Sequence, residues 1–301
     1  QALPSHNHIV VSFINGGIFE SRLRELGVAV IGLEQGRGRP IHALFVLPRL
    51  RAVIRELRPD ILQGWMYHGN LAASIVARDI PVLWNIRQRL EGWRSINPVT
   101  RAVVLSSLLY RKTVSAVIYN SLLAATDHEG LGYPRSRRII IPNGFDLSLY
   151  KPDVQARCAI RAELGVSDSA LLIGRVARDA PIKDTPTLVA AVARMQHSDA
   201  RLVLVGRGMS ADNQGLVDLL RAAGVAHRTH LLGERSDIQR INAALDVAVS
   251  SSSHGEGFPN VICEAMACET PIVATDVAES RQIVGDDSRI VPPRDSSALA
   301  A

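Results

Sequence analysis

The chain has 301 residues, of which 47% are hydrophobic and 21% charged, a composition typical of an ordinary globular protein long enough for two domains. Aromatic residues make up only 4%, and no helix-turn-helix or ribonucleoprotein-like motif occurs, so a nucleic acid is not an expected partner. The three cysteines (Cys158, Cys263 and Cys268) are odd in number and lack C-x-x-C spacing, which is typical of free thiols in a reducing compartment and disfavours a disulfide scaffold or a zinc site.

Charge is distributed unevenly between the two halves of the chain. Residues 1–150 carry 18 Lys and Arg against 10 Asp and Glu, a surplus of +8, whereas the rest carry 16 against 19, or −3. A basic half indicates an anionic partner or membrane surface, and a solvated arginine-rich face explains it equally well. No apolar run approaches the roughly 18 residues of a membrane-spanning helix.

Short runs rich in Val, Ile and Leu recur along the chain and predict β-strands. In the first half the predicted strands are 8–14, 28–33, 60–66, 81–86, 116–121 and 138–144. In the second half they are 170–177, 201–206, 229–233, 247–252, 271–276 and 288–293. Amphipathic segments between them predict helices, and continuous apolar strands alternating with helices indicate parallel sheets covered on both faces.

Two helices have recognisable start signals. Thr185 and Pro186 fit the N-cap and first helical position, and Ser236 with Gln239 fits a capping box. Proline and glycine punctuate the segment 142–153, PNGFDLSLYKPD, and predict a division into an N-terminal domain, 1–148, and a C-terminal domain, 149–301. In doubly wound domains, ligands bind beyond the carboxyl ends of the strands.

The stretch 251–267, SSSHGEGFPNVICEAMA, places a loop at such a strand end. Gly255 and Gly257 allow a ligand to approach the backbone closely, and Pro259 suits the first turn of the next helix. The free N–H groups of that helix end favour an anion, most often phosphate. The helix is apolar on every side and so predicted to be buried, except for Glu264. A buried carboxylate needs partners, which could be two hydroxyls of a sugar or the N–H groups of a neighbouring loop.

Four segments in order resemble the retaining glycosyltransferases of family 4, also called glycosyl transferases group 1, which have the GT-B fold. Residues 256–277, EGFPNVICEAMACETPIVATDV, resemble the family's glutamate-x7-glutamate signature, and 174–192, GRVARDAPIKDTPTLVAAV, its diphosphate-binding segment. Residues 139–152, IIIPNGFDLSLYKP, resemble the interdomain strand and linker, and 58–70, RPDILQGWMYHGN, an acceptor-domain segment. The resemblance implies an α/β protein of two doubly wound, Rossmann-like parallel-sheet domains that face each other across a cleft.

The same resemblance implies roles for single residues. Arg178 and Lys183 would neutralise the diphosphate of a nucleoside diphosphate sugar and the charge that grows on it as it leaves. Glu264 would hold the ribose hydroxyls, and His68 would contact the donor sugar or hold the region of the nucleophile. Glu256 would hold hydroxyls of the donor sugar, aided by the backbone of a donor-binding segment formed by Gly257, Phe258, Pro259, Asn260 and Val261.

No D-x-D metal motif is present, and the family generally needs no metal, so neither a metal nor another cofactor is expected. The family is thought to react on one face of the sugar, with the leaving phosphate helping to deprotonate the acceptor. The expected acceptor is a glycan or a lipid-linked acceptor in polysaccharide biosynthesis. The expected location is the cytoplasm, with peripheral contact between the basic N-terminal half and an anionic inner membrane face.

The sequence also departs from the family pattern. The family's first strand with its glycine-rich loop and its last helix are absent, so a chain truncated at both ends is expected. Glu269, Ala278 and Ser288 stand where glycines are common, and alanine adopts a positive φ less readily than glycine. Two alternatives stay open: a sugar-nucleotide 2-epimerase of the same fold, and a non-catalytic nucleotide-sugar-binding subunit, which the presence of Arg178 and Lys183 disfavours.

Overall fold

The computed structural model describes residues 6–17, 19–33, 43–90, 93, 96–197 and 199–301. The chain forms two compact units, which the backbone enters more than once. The first contains the described residues of Gln1–Ile86, Ile96–Ile118 and Ser136–Arg138; the second contains those of Arg87–Ser95, Tyr119–Arg135 and Ile139–Ala301. The domain boundary between residues 148 and 149 stays a prediction.

All twelve predicted strands are present in the predicted order. β1 (Ile9–Ser12) pairs in parallel with β2 (Ala29–Gly32). A second sheet has the order β3-β4-β5-β6 and consists of β3 (Leu62–Trp65), β4 (Val82–Ile86), β5 (Ala116–Tyr119) and β6 (Arg138–Ile140). Its β3 and β4 are parallel.

The second unit contains a six-stranded sheet with the order β12-β11-β10-β7-β8-β9. All five pairs of neighbouring strands in this sheet are parallel. Its strands are β7 (Leu172–Val176), β8 (Arg201–Val205), β9 (Thr229–Leu231), β10 (Val247–Ser250), β11 (Ile272–Thr275) and β12 (Ile290–Val291).

Helices alternate with the strands as predicted. In the first part of the chain they are α1 (Glu20–Glu25), α2 (Ala43–Leu57), α3 (Met66–Val76), α4 (Pro98–Ser107) and α5 (Leu122–Gly130). The rest are α6 (Val154–Glu163), α7 (Thr185–Arg194), α8 (Gln214–Ala222), α9 (Ile238–Ala244), α10 (Asn260–Ala267), α11 (Ser280–Val284) and α12 (Ser296–Ala300). No helix within the described ranges is long and apolar enough to cross a membrane.

The six-stranded sheet buries both of its faces. Along β8, Val203 and Val205 belong to one apolar cluster, which includes Ile241 of α9. Leu202 and Leu204 belong to another, which includes Leu188 of α7. Because successive side chains of a strand point to opposite faces, this alternation shows helices packed on both sides of the sheet.

The amphipathic helix α2 packs inside the first unit. Val46, Leu50 and Ile54 are buried in a cluster with Val76 of α3. The arginines of the same helix, among them Arg51 and Arg55, are exposed. The apolar stripe of α2 is therefore occupied by protein, so any membrane contact of this helix would depend on its arginines alone.

The predicted helix starts need correction. The N-cap of α7 is Asp184, whose side chain accepts a 3.3 Å hydrogen bond from the Thr187 N–H, so Thr185 is already helical. The N-cap of α9 is Asp237 without a side-chain capping bond, so the Ser236 capping box is wrong. In both places an acidic residue adjoining the predicted cap occupies the cap position instead.

Two of the three residues that stand where the family commonly has glycine adopt the left-handed conformation. Glu269 has φ of 58° and Ala278 has φ of 54°. Residues with a Cβ pay roughly 1–2 kcal/mol for this conformation, so each is a point of local strain. Ser288 is not among the positive-φ residues of the described chain.

Candidate functional site

Two loops of the second unit lie side by side because they follow adjacent parallel strands. Strands β7 and β10 pair directly, and their carboxyl ends open into loops 177–184 and 251–259. The Ser253 N–H donates to the Ile182 carbonyl at 2.8 Å, and the Ser251 hydroxyl donates to the Lys183 carbonyl at 2.9 Å. The predicted phosphate-binding loop and the predicted glutamate loop are thus joined into one structure.

Arg175 lies next to the carboxyl end of β7, and its side chain hydrogen-bonds to both loops. Arg175 is 2% exposed, and its guanidinium donates to the Lys183 carbonyl at 2.9 Å, the Thr185 hydroxyl at 2.7 Å and the Ser251 hydroxyl at 3.2 Å. Burial lowers the pKa of Arg175 to about 10. Arg175 was not among the predicted site residues, although a charged residue within an apolar strand, LLIGRV, indicates a buried polar network.

Lys183 and Glu256 are brought together as an ion pair. The Lys183 ammonium donates to Oε1 of Glu256, and the Ser252 hydroxyl donates to the same oxygen at 2.6 Å. The side chains of Lys183 and Glu256 are only 17% and 13% exposed. Oε2 of Glu256 has no hydrogen-bond partner among the described residues and remains available to accept a bond.

Arg178 lies in the same loop as Lys183 but is exposed. Its guanidinium makes no ion pair or hydrogen bond within the part of the chain described. The adjacent backbone is fixed by a close approach: a Cβ on Gly206, which has φ of 135°, would come within 2.3 Å of the Ala177 carbonyl oxygen. Segment 205–208, VGRG, therefore shapes the loop that carries Arg178.

The helix that carries Glu264 is not buried all round, contrary to expectation. Only Ile262 and Ala265 of α10 are buried, and Met266 is 39% exposed. One face of this short helix packs on the sheet cluster that contains Ile262. Pro259 is the N-cap and not a residue of the first turn.

Glu264 faces a cavity of about 350 Å³ within the second unit. Its carboxylate is half-buried and makes no hydrogen bond or ion pair to any described residue, and burial raises its pKa. Burial, and secondarily the nearby Glu264, raises the pKa of Tyr150 in the same cavity. The lining residues are Arg87, Asn143, Gly144, Phe145, Asp146, Tyr150, Asn260 and Glu264.

The remaining predicted residues have different surroundings. Asn260 is exposed, and its side-chain oxygen accepts a 2.6 Å hydrogen bond from the Asn143 amide. A Cβ on Gly257 would lie 2.9 Å from the Arg87 carbonyl oxygen, so this glycine is required by close packing. Phe258 and Val261 are half-buried, and Pro259 is buried.

His68 is exposed in the first turn of α3, in the first unit. The turn is anchored by Asn70, whose side-chain oxygen accepts a 3.2 Å bond from the Asn85 N–H. A Cβ on Gly64 would come within 2.5 Å of the Asn70 Cα, so α3 packs unusually tightly on β3. His68 therefore stands on a rigid base at the carboxyl end of β3.

Four residues at or beside the site were not predicted from the sequence: Arg87, Asn143, Tyr150 and Ser252. Arg87 was detectable as the first polar residue after the apolar strand β4, and Ser252 as part of the serine run after β10. Asn143 and Tyr150 carried no local signal, because tertiary folding alone brings their loop to Glu264. No group of three or more His, Cys, Asp or Glu within the described residues could hold a metal ion. Metal independence stays a prediction.

Comparison with known proteins adds independent information. The family model described as Glycosyltransferase Family 4 matches residues 1–149, and the model described as Glycosyl transferases group 1 matches residues 167–301. A D-inositol 3-phosphate glycosyltransferase of Geodermatophilus obscurus is 35% identical over 195 residues, which are 58% of this chain and 41% of that protein. The same-named protein of Stackebrandtia nassauensis is 35% identical over 158 residues, or 49% of this chain and 35% of that protein. The chain thus spans about two fifths or less of the length of these curated relatives.

Solved structures agree on the fold. The crystal structure of Anabaena HepE in complex with UDP superposes with a TM-score of 0.84 at 23% identity, covering 97% of this chain and 80% of that one. A glycosyltransferase of Rickettsia africae superposes with a TM-score of 0.82 at 17% identity, covering 98% and 78%. These solved structures show that the chain has the GT-B fold. The two family models match consecutive parts of the chain and show that it belongs to the family 4, or group 1, glycosyltransferases.

Proposed function

We propose that the chain is a retaining glycosyltransferase that moves a sugar from a nucleoside diphosphate sugar to a glycan or lipid-linked acceptor without a metal. The observation that carries the proposal is Glu264, a half-buried carboxylate that has no partner among the described residues and faces a cavity of about 350 Å³. A carboxylate removed from water and left unpaired is costly, so such a group indicates a ligand that supplies the missing donors.

The two hydroxyls of a ribose fit that requirement. An ionised carboxylate accepts several hydrogen bonds, and the two oxygens of Glu264 match a vicinal diol. The opposing reading, in which Glu264 caps the N–H groups of a neighbouring loop, finds no support, since no such bond to Glu264 is present among the described residues. Ribose binding accordingly explains both the position of Glu264 and its lack of partners.

Arg178, Lys183 and the N-terminus of α10 are suited to the diphosphate. The exposed Arg178 has no competing partner in the described chain, and the first N–H groups of a helix favour an anion. Cations placed where charge develops lower the energy of the transition state more than that of the bound donor. In this role they favour departure of the diphosphate.

Glu256 is suited to the donor sugar. Lys183 and Ser252 both bind Oε1, which orients the carboxylate and leaves Oε2 to accept from a sugar hydroxyl. Because Lys183 contacts both Glu256 and, in this proposal, the diphosphate, it couples recognition of the sugar to that of the leaving group. His68 would contact the donor sugar or hold the acceptor's nucleophile, and the departing phosphate would take the acceptor proton.

A turnover experiment separates the proposal from its alternatives. HepE was crystallised with UDP-glucose, so labelled UDP-glucose is the first donor to test, followed by GDP-mannose and the other common sugar nucleotides. A glycosyltransferase releases UDP faster when a glycan or lipid-linked acceptor is added, and the product keeps the anomeric configuration of the donor. An epimerase would convert the donor sugar without an acceptor, and a binding subunit would bind donor without turnover. Undiminished transfer in EDTA is expected for a metal-independent enzyme.

We further propose peripheral contact of the first unit with an anionic membrane on the cytoplasmic side. Because α2 buries its apolar stripe, the contact would be electrostatic and carried by exposed arginines such as Arg22, Arg51 and Arg55. Each basic residue near such a surface contributes about 1 kcal/mol. Vesicle sedimentation tests this: binding should increase with the anionic lipid fraction and decrease with salt, whereas equal binding to neutral vesicles would contradict it.

A further inference from the structure

A second cavity, of about 310 Å³, lies in the first unit where the C-terminal ends of α2 and α3 meet. Four arginines line it, Arg51, Arg55, Arg58 and Arg78, and they are exposed. Its floor is apolar and includes Ile54 and Val76, which are 7% and 6% exposed. We call it the arginine cavity.

The arginine cavity and His68 lie at opposite ends of the strands of their sheet. Its lining residues precede β3, at residues 58–59, and β4, at residues 76–80. His68 follows the carboxyl end of β3. Since β3 and β4 are parallel, the cavity opens at the amino ends of the strands and His68 lies at the opposite edge.

The residues that the structure describes do not balance the charges around the arginine cavity. Asp79 is the one acidic residue among those lining it. In the described chain none of the four arginines forms an ion pair or side-chain hydrogen bond, whereas Arg157 and Arg161 of the second unit share Asp246. Like charges gathered around one opening repel each other unless an anion lies between them.

Two of these arginines occupy positions that favour glycine. Arg58 directly follows α2 with φ of 45°, and Arg78 follows the end of α3 with φ of 47°. Helices commonly end in a left-handed glycine because a side chain there is unfavourable. A cation gains from the dipole of an exposed helix end, but this gain is smaller than the cost of left-handed backbone for a residue with a Cβ. The helix dipole therefore does not explain why both positions carry arginine.

We propose that the arginine cavity binds a phosphate group, with an apolar part of the same ligand on the floor. A guanidinium group can bind two phosphate oxygens through a pair of hydrogen bonds. All four arginines of the cavity can make such a pair, since none has a side-chain partner in the described chain. The phosphate belongs either to a free phosphorylated molecule or to the headgroup of a lipid. This inference does not depend on the proposed function.

The test uses the full chain and two probes, inorganic pyrophosphate by calorimetry and vesicles of phosphatidylglycerol or phosphatidylcholine by sedimentation. Both are applied in an Arg178→Ala background, which weakens the proposed diphosphate site and leaves the Lys183–Glu256 pair intact. The key variant is Arg58→Gly/Arg78→Gly, because glycine accepts the left-handed backbone and should keep or raise the Tm. Arg101→Ala/Arg111→Ala is the control, since it removes the same charge from the same unit away from the cavity. Arg51→Gln/Arg55→Gln is a second test variant that leaves the strained backbone untouched.

Binding should weaken about tenfold or more in both test variants and little in the control. Pyrophosphate binding with that pattern assigns a free phosphorylated ligand. Binding to phosphatidylglycerol vesicles with that pattern, but not to pyrophosphate, assigns a lipid headgroup, since adsorption by general charge would be weakened as much by the control. The proposal is overturned if neither probe binds the parent protein. It is equally overturned if the test variants bind as well as the control.

Discussion

The ammonium of Lys183 and the carboxylate of Glu256 form an ion pair between two loops that leave adjacent strands of the six-stranded sheet. The residues are 73 positions apart in sequence. Because both side chains are largely buried, the loss of one partner leaves an uncompensated charge in a poorly hydrated site.

A double-mutant cycle should therefore show strong coupling between Lys183 and Glu256. Lys183→Met is expected to lower the free energy of unfolding by about 3 kcal/mol, the low end for a broken buried pair. Glu256→Gln in the Lys183→Met background should recover part of that loss, because it removes the stranded charge. Urea denaturation of the four proteins measures the coupling, and additive effects would show that the pair is not formed in solution.

Glu264→Gln should weaken nucleotide binding by roughly 1.5–3 kcal/mol, or about 10- to 150-fold, because a charged acceptor of ribose hydroxyls is lost. The same change should raise the Tm at neutral pH, since the free protein no longer keeps an unpaired carboxylate partly out of water. UDP and GDP titrations by calorimetry and thermal melts measure the two effects. Unchanged nucleotide affinity would rule out Glu264 as the ribose ligand.

The pH dependence of Glu264 has a definite sign. Burial raises the pKa of this carboxyl above its ordinary value of 4.5, so the folded protein binds its proton more readily than the unfolded chain. The destabilisation is absent below about 4.5 and complete above the raised pKa. Nucleotide affinity should correspondingly fall as the pH drops through the raised pKa, and Glu264→Gln should lose this contribution. An identical pH profile in both proteins would contradict the assignment.

Arg178→Ala and Lys183→Ala should each lower turnover more than they weaken donor binding, because negative charge grows on the diphosphate as the sugar leaves. Steady-state kinetics and calorimetry with the same donor separate the two quantities. Binding of the nucleoside monophosphate, which lacks the β-phosphate, is the control. If monophosphate and diphosphate affinities fall equally, neither residue acts on the leaving group.

Ala278→Gly should stabilise the protein by up to about 1 kcal/mol, because glycine relieves the left-handed φ of 54° while adding some freedom to the unfolded chain. Glu269→Gly, at φ of 58°, is the matched variant at the end of α10. Thermal melts measure stability, and donor titrations show whether Ala278 also limits sugar binding. A lower Tm for both variants would mean that their side chains contribute contacts that outweigh the strain.

Gly206→Ala should be strongly destabilising, because the new Cβ would meet the Ala177 carbonyl oxygen at 2.3 Å. Gly224→Ala is the control: it has a positive φ of 71°, but a Cβ there would meet no atom within 4 Å. The control should cost about 1 kcal/mol from backbone strain alone. Chemical denaturation of both variants gives the difference that is due to close packing, and equal losses would contradict the contact between the two loops.

The twelve strands could be predicted because each is a short apolar run between turn residues. A strand that is buried on both faces is apolar throughout, so its prediction does not depend on an alternation of apolar and polar residues. Helix starts were less accurate, since Asp184 and Asp237 compete with neighbouring Thr185 and Ser236 for the same cap position. Burial of α10 was overestimated because composition does not say how much of a short helix its neighbours cover.

The sequence by itself determined the order of strands and helices, the resemblance to one enzyme family and the residue types of the donor site. These properties are local or depend on spacing along the chain. Only the tertiary structure decided that Lys183 meets Glu256, that Arg175 supports both of their loops and that Asn143 and Tyr150 share a cavity with Glu264. The physical reason is that strand pairing, which depends on the packing of the whole sheet, chooses which distant loops become neighbours.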